Sequence, residues 1–101
     1  MSLPVITTPE ADVHISTIGD WWRINRPAAP DLFTDELAHC FVVLAQAPRI
    51  GKPYRRHPSI PGLRRALLRA TRYHVYYVPR ADAVAVLAVW HSQRGQLPHL
   101  F

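Results

Sequence analysis

The sequence predicts an α+β domain, with a helical hairpin packed on a mostly antiparallel sheet. Three observations carry this reading: a short β-prone start, two successive apolar stripes at helical spacing, and a C-terminal half whose aromatic and β-branched residues fall in strand-like blocks. A chain of 101 residues has room for one domain, expected to span 1–101.

Val5-Ile6-Thr7 is the β-prone start. Thr8-Pro9-Glu10 then reads as an N-cap, a proline at the first helical position and an acid on the positive end of the helix dipole. Ala11, Ile15, Ile18 and Trp22 follow at steps of four, three and four, and Asn25-Arg26-Pro27 ends the helix. The segment from about Pro30 to Ala47 repeats the logic, with Phe33, Leu37, Phe41 and Leu44 on one face, so the two segments form a helical hairpin. Trp21 and Trp22 are adjacent and cannot share one core line, so one of them covers the hairpin edge.

Between Pro48 and Gly62, four prolines, two glycines and four bases make a stiff basic loop that resists both helix and central strand. Propensity alone leaves Leu63 to Ala70 open between helix and strand. Residues 72–78 and 83–90 read as strands joined by a turn at Pro79-Arg80-Ala81-Asp82. Alternation sends Tyr73, Val75 and Tyr77 to one side, to pack on the hairpin, and Arg72, His74 and Tyr76 to the other, a face expected to show rings and cations.

Composition narrows the function classes. Apolar residues at 49% supply a core, and charged residues at 19% are too few for a disordered chain. The single Cys40 cannot form an internal disulfide and is expected to be a small buried hydrophobe, so stability must come from packing or from a partner. One Cys and six scattered His give no metal-ligand spacing, and no metal or cofactor is expected. No apolar run reaches the roughly 18–20 residues of a spanning helix, and Met1-Ser2-Leu3-Pro4 does not open a secretory leader, so a cytoplasmic protein without a membrane partner is expected.

Charge is divided along the chain. Residues 1–47 hold two bases against six acids, a balance of −4, and residues 48–101 hold ten bases against Asp82, a balance of +9. Nine of those ten bases are arginine, whose planar fork suits phosphate and carboxylate. The C-terminal half is therefore expected to bind something anionic. Lys52, Arg55 and Arg56 make a positive patch in the loop. If residues 63–70 form a strand, Arg64 and Arg65 point to opposite faces. Arg72 shares a face with His74 and Tyr76, and His91 stands where a side chain can leave the core and meet solvent. Trp90 is expected to anchor the hairpin against the sheet, and the apolar Leu97, Leu100 and Phe101 to dock on the domain or on a second copy.

The ordered set Thr8-Pro9-Glu10-Ala11, Pro48-Arg49-Ile50-Gly51-Lys52-Pro53, Pro61-Gly62-Leu63-Arg64-Arg65, Arg72-Tyr73-His74-Val75-Tyr76-Tyr77 and Val86-Leu87-Ala88-Val89-Trp90-His91-Ser92-Gln93-Arg94 resembles the RelE/ParE superfamily of toxins from bacterial type II toxin–antitoxin systems. The resemblance implies a β-α-α-β-β-β order in which residues 63–70 are a strand. It also implies a cognate antitoxin, acidic where it meets the arginines and folding on the toxin, with a hetero-oligomer as the assembled form. Two activities occur in such proteins, inhibition of DNA gyrase and cleavage of mRNA in the ribosome. Cleavage without a metal requires a base, an acid and a cation at the phosphate. His91, Arg72 and Lys52 are the candidates for those roles, but no Glu follows Glu36 and Lys52 is the only lysine. The gyrase-directed reading requires no catalytic base and is favoured, with metal-independent endoribonuclease as the alternative. On the gyrase-directed reading Arg55, Arg56, Arg64, Arg65, Arg72, Tyr76, His91 and Arg94 bind the target or the antitoxin.

Overall fold

In the computed structural model, which describes residues 2–93, strand β1 (Val5–Thr7) leads into helices α1 (Pro9–Asn25) and α2 (Leu32–Gln46). Strands β2 (Lys52–Pro53), β3 (Arg64–Leu67), β4 (Tyr73–Pro79) and β5 (Val84–His91) follow. They form one sheet in the order β1-β5-β4-β3-β2, in which β1 runs parallel to β5 and every other neighbour pair is antiparallel.

The sequence signals at α1 act as expected. The Thr8 side chain accepts the Ala11 N–H at 3.1 Å, Pro9 occupies the first turn with Glu10 and Asp12, and the helix ends before Arg26-Pro27. Helix α2 starts at Leu32 after Asp31, whose side chain makes no capping bond, and stops before Pro48. Phe33, Leu37 and Leu44 are buried and Phe41 is half-buried, so the α2 stripe is the one the spacing predicts. Together with Ala11 they meet Val75, Tyr77, Val84, Val86 and Val89 in the main core. Each of these large side chains contributes roughly 1.5–3 kcal/mol by leaving water.

Residues 64–67 are a strand in spite of their helix propensity, because β4 on one side and the two-residue β2 on the other supply ladder partners. The loop expected to resist helix and central strand contributes a two-residue strand at the sheet edge, so the sheet has five strands. Proline is tolerated there because β2 lies at the sheet edge. Alternation is broken once. The β4–β5 register slips between Tyr76 and Tyr77, leaving Leu87 without a cross-strand partner, and this brings Val84, Val86 and Val89 to the helix side together.

The second sheet face is less open than alternation suggests. Leu63, Tyr76 and Ala88 are buried there, with Tyr54, Ile60, Val78, Leu87 and Trp90 packed around them, because the Pro-rich loop folds back over the strands. Tyr76 is 4% exposed. It is a packing residue and not a displayed ring.

Helix α1 also covers the part of β5 that the short β1 leaves unpaired. Thr8 donates its N–H to the Val86 carbonyl and its hydroxyl to the Leu87 carbonyl, and the Val89 N–H donates to His14 Nδ1 at 3.3 Å. His14 therefore carries its ring proton on Nε2. Trp90 anchors the helix here, its ring 5.3 Å from that of His14.

A cation groove along the β3 edge

Beyond the end of β2, the outer edge of β3 opens into a groove of about 580 Å³. Its apolar wall includes Val43 and Leu44 of α2, and its charged rim is formed by Lys52, Arg65, Arg69, Arg72 and His74. Cross-strand pairing explains the rim. Lys52 opposes Arg65, Arg65 opposes Tyr76, and Leu67 opposes His74, so these residues share the face turned away from the helices.

The rim is electrostatically one-sided. Among the described residues the one ion pair joins Arg23 and Asp20, far along the chain, so Lys52, Arg65, Arg69 and Arg72 form no ion pair with a carboxylate there. His74 registers the consequence: burial pushes its pKa below the ordinary histidine value, and the charges of Arg65, Arg72 and His91 push it the same way. Arg65 is held over the Tyr54 ring, 5.0 Å from its centroid, and hydrogen-bonds the Tyr76 hydroxyl.

Arg64 faces the other way. Its guanidinium donates to the carbonyls of Arg49 (3.1 Å) and Gly51 (2.7 Å), which ties β3 to the loop. The buried Tyr77 hydroxyl accepts the Gly51 N–H at 2.8 Å beside it, and burial raises the pKa of that phenol. Gly51 is required by this close approach: a Cβ there would lie 2.5 Å from the Tyr77 oxygen and 2.8 Å from the Arg65 carbonyl oxygen.

The β3–β4 turn is fixed from α2. The Glu36 carboxylate accepts from the Ala70 N–H (2.7 Å), the Thr71 N–H (3.0 Å) and the Thr71 hydroxyl (2.6 Å). Within this clamp Arg72 adopts φ +70°, a left-handed conformation that costs a non-glycine residue about 1 kcal/mol. Its N–H donates to the Leu68 carbonyl and its own carbonyl accepts the Ser92 N–H. Glu36 thus sets the turn that carries Arg69 and Arg72 to the groove. The sequence marks it only as an acid near a helix start, 34 residues from Ala70, and no local signal announces the tether.

The remaining site candidates are dispersed. Arg55 and Arg56 are exposed on the loop between β2 and β3. His91 opens onto a different cleft, of about 820 Å³, between α1 and the end of β5. There its ring packs edge-on against Tyr73 at 5.0 Å, and its Nδ1 accepts the Gln93 N–H. The structure therefore brings Arg72 and Lys52 to one groove and leaves His91 on another. Arg94 lies outside the described residues, as does the apolar end at Leu97, Leu100 and Phe101. Cys40 is half-buried in the groove wall, and burial, with a contribution from Glu36, pushes its thiol up to about 11. Among the described residues no helix is long and apolar enough to cross a membrane, and no cluster of three His, Cys, Asp or Glu side chains is placed to hold a metal.

Comparison with known proteins agrees with this architecture. A search of curated proteins gave no match. Among solved structures, a chain of the chromosomal ParDE toxin–antitoxin system from P. aeruginosa superposes with a TM-score of 0.74 at 15% identity, covering 91% of this chain and 98% of that one. The family described as the ParE toxin of the type II toxin–antitoxin system parDE matches residues 5–95. Since that match takes in both helices and all five strands, the chain belongs to the ParE toxin family.

Proposed function

We propose that this toxin arrests growth by binding DNA gyrase in the cytoplasm, and that a cognate antitoxin neutralises it by laying an acidic segment in the cation groove. The observation that carries this reading is the rim of Lys52, Arg65, Arg69 and Arg72, four cations without a carboxylate partner among the described residues, gathered on one groove. Such a rim is suited to gripping an acidic surface, and gripping requires no base, acid or leaving-group chemistry. Of the candidates for metal-independent RNA cleavage, His91 lies on a different cleft from Arg72 and Lys52, which favours the binding role over the endoribonuclease one.

The antitoxin reading follows from the two walls of the groove. An extended segment alternates its side chains, so acidic residues can meet the rim while apolar ones lie against Val43 and Leu44. The assembled form is then a hetero-oligomer. The test is a gyrase supercoiling assay with purified toxin, run beside an mRNA cleavage assay on translating ribosomes. Inhibition of supercoiling that is lost in Arg65→Ala and Arg72→Ala, with mRNA left intact, is expected. Cleaved mRNA with unimpaired supercoiling would overturn the assignment.

A further inference from the structure

The larger cleft, between α1 and the end of β5, plays no part in that reading. Its volume of about 820 Å³ is within the range of small-molecule sites. Ile18, Trp21 and Trp22 line it from α1, Tyr73 from β4 and His91 from β5, so its walls are mostly aromatic. Trp21 stands edge-on to Trp22, with ring centroids 5.7 Å apart, and Tyr73 stands edge-on to His91. Trp21 is 43% exposed, so part of this wall is open to solvent and suited to a flat apolar ligand.

The polar groups of the cleft are donors. His14 Nδ1 accepts the Val89 N–H and His91 Nδ1 accepts the Gln93 N–H, so each neutral imidazole carries its proton on Nε2. The Tyr73 hydroxyl accepts the Trp22 indole N–H at 3.4 Å and has its own hydrogen to give. Arg26 adds the one permanent cation among the described lining residues. Its guanidinium stands 5.2 Å from the Trp21 ring centroid, gives one N–H to the Asn25 carbonyl, and forms no ion pair among the described residues. No carboxylate is among the described residues of the lining; Glu10, one turn before His14, acts on that imidazole from outside it. Rings and donors therefore suit one kind of ligand, flat over most of its area and negative at one end. The cation count sets the size of that charge. One guanidinium fork matches the two oxygens and unit charge of a carboxylate. A phosphate monoester brings about −1.5 to −2 at pH 7 and would leave the surplus unpaired against aromatic walls.

We propose that this cleft binds a small aromatic carboxylate: the ring lies against the Trp21, Trp22 and Tyr73 walls, Arg26 takes the carboxylate, and the Nε2–H groups of His14 and His91 supply the further donors. This proposal is independent of the gyrase assignment.

The test is isothermal titration calorimetry of the toxin with 2-naphthoate, beside 2-naphthamide, which keeps the rings and loses the charge. Saturable binding of 2-naphthoate at one site per chain is expected, with 2-naphthamide about tenfold weaker. Arg26→Ala is expected to bring 2-naphthoate down to the level of 2-naphthamide and leave the amide unchanged, while Trp21→Ala weakens both. Trp21 and Arg26 are exposed, so both variants keep the fold, which circular dichroism checks. The cation groove also attracts anions, so the Arg65→Ala, Arg72→Ala double variant is titrated too and is expected to bind 2-naphthoate as the wild type does. Absence of saturable binding, equal affinity for acid and amide, loss of binding in the double variant, or tighter binding of 2-naphthyl phosphate than of 2-naphthoate overturns the proposal.

Discussion

Glu36→Ala removes the acceptor of three hydrogen bonds without touching the core or the groove surface. The cost can be worked bond by bond. Ala70 is exposed, so its N–H turns to water at little loss. Thr71 is 4% exposed, and both its N–H and its hydroxyl lose their acceptor in a place water does not reach. Two stranded buried donors cost about 2–3 kcal/mol together. For a domain of this size each kcal/mol moves Tm by about 4–8 °C, so the variant is expected to melt at least about 8 °C below the wild type by circular dichroism. Glu36→Gln keeps one acceptor oxygen and falls between the two. Melting of Glu36→Ala within about 2 °C of the wild type would show that the turn holds itself, and the clamp argument would fail.

Arg72→Gly relieves the left-handed φ and is expected to leave stability equal or up to about 1 kcal/mol higher while abolishing growth arrest; retained toxicity at wild-type expression would remove Arg72 from the functional rim. Gly51→Ala drives a methyl group into the Tyr77 hydroxyl and the Arg65 carbonyl, and a loss of more than about 2 kcal/mol in urea unfolding is expected, against little change at the exposed Ala38→Gly helix control beyond the ~1 kcal/mol of helix propensity. Burial lowers the pKa of both His14 and His74 from the ordinary 6.5, so below that pH the unfolded chain binds more protons than the folded one. Stability is therefore complete above about pH 6.5 and declines as pH falls through the folded values; urea midpoints at pH 7.5 and 5.5 will differ, and His14→Gln will narrow the gap.

The helices were legible because their signals are local. Thr8-Pro9 sets one start, Pro27 and Pro48 close two ends, and the 3.6-residue stripe fixes the buried faces. What was not legible depends on residues distant in sequence. Leu63 to Ala70 has helix propensity, and only pairing with β4 and β2 makes Arg64–Leu67 within it a strand. The slip at Tyr76 and Tyr77 is invisible in Val84 to Trp90 because an unbroken apolar run looks the same in either phase. At the site, residue type pointed to the arginines, but direction separated them. Arg65 reaches the groove and Arg64 is spent on two loop carbonyls, although they are neighbours with the same chemistry. Glu36 and His14 were silent because their roles exist only across 34 and 75 residues of chain.

Gathering like charges on one rim has an energetic consequence that can be read without knowing the partner. Lys52, Arg65, Arg69 and Arg72 repel one another, and burial first, then the charges of Arg65, Arg72 and His91, lower the pKa of His74, so the free toxin is less stable than the same fold with an anion in the groove. A bound anion favours the charged form of His74, so its uptake is accompanied by a proton and strengthens as pH falls through the imidazole's range. Sulfate or a polyglutamate peptide is therefore expected to raise Tm more at pH 6 than at pH 8, approaching about 2.7 kcal/mol of added stability at a hundredfold excess over Kd. Sodium chloride at matched ionic strength screens the repulsion at both pH values and separates screening from binding. Arg65→Ala with Arg72→Ala is expected to erase the anion effect while leaving the Glu36 clamp intact. If the double variant responds to sulfate as the wild type does, the repelling charges are elsewhere, and the groove is not where this toxin meets its anionic partner.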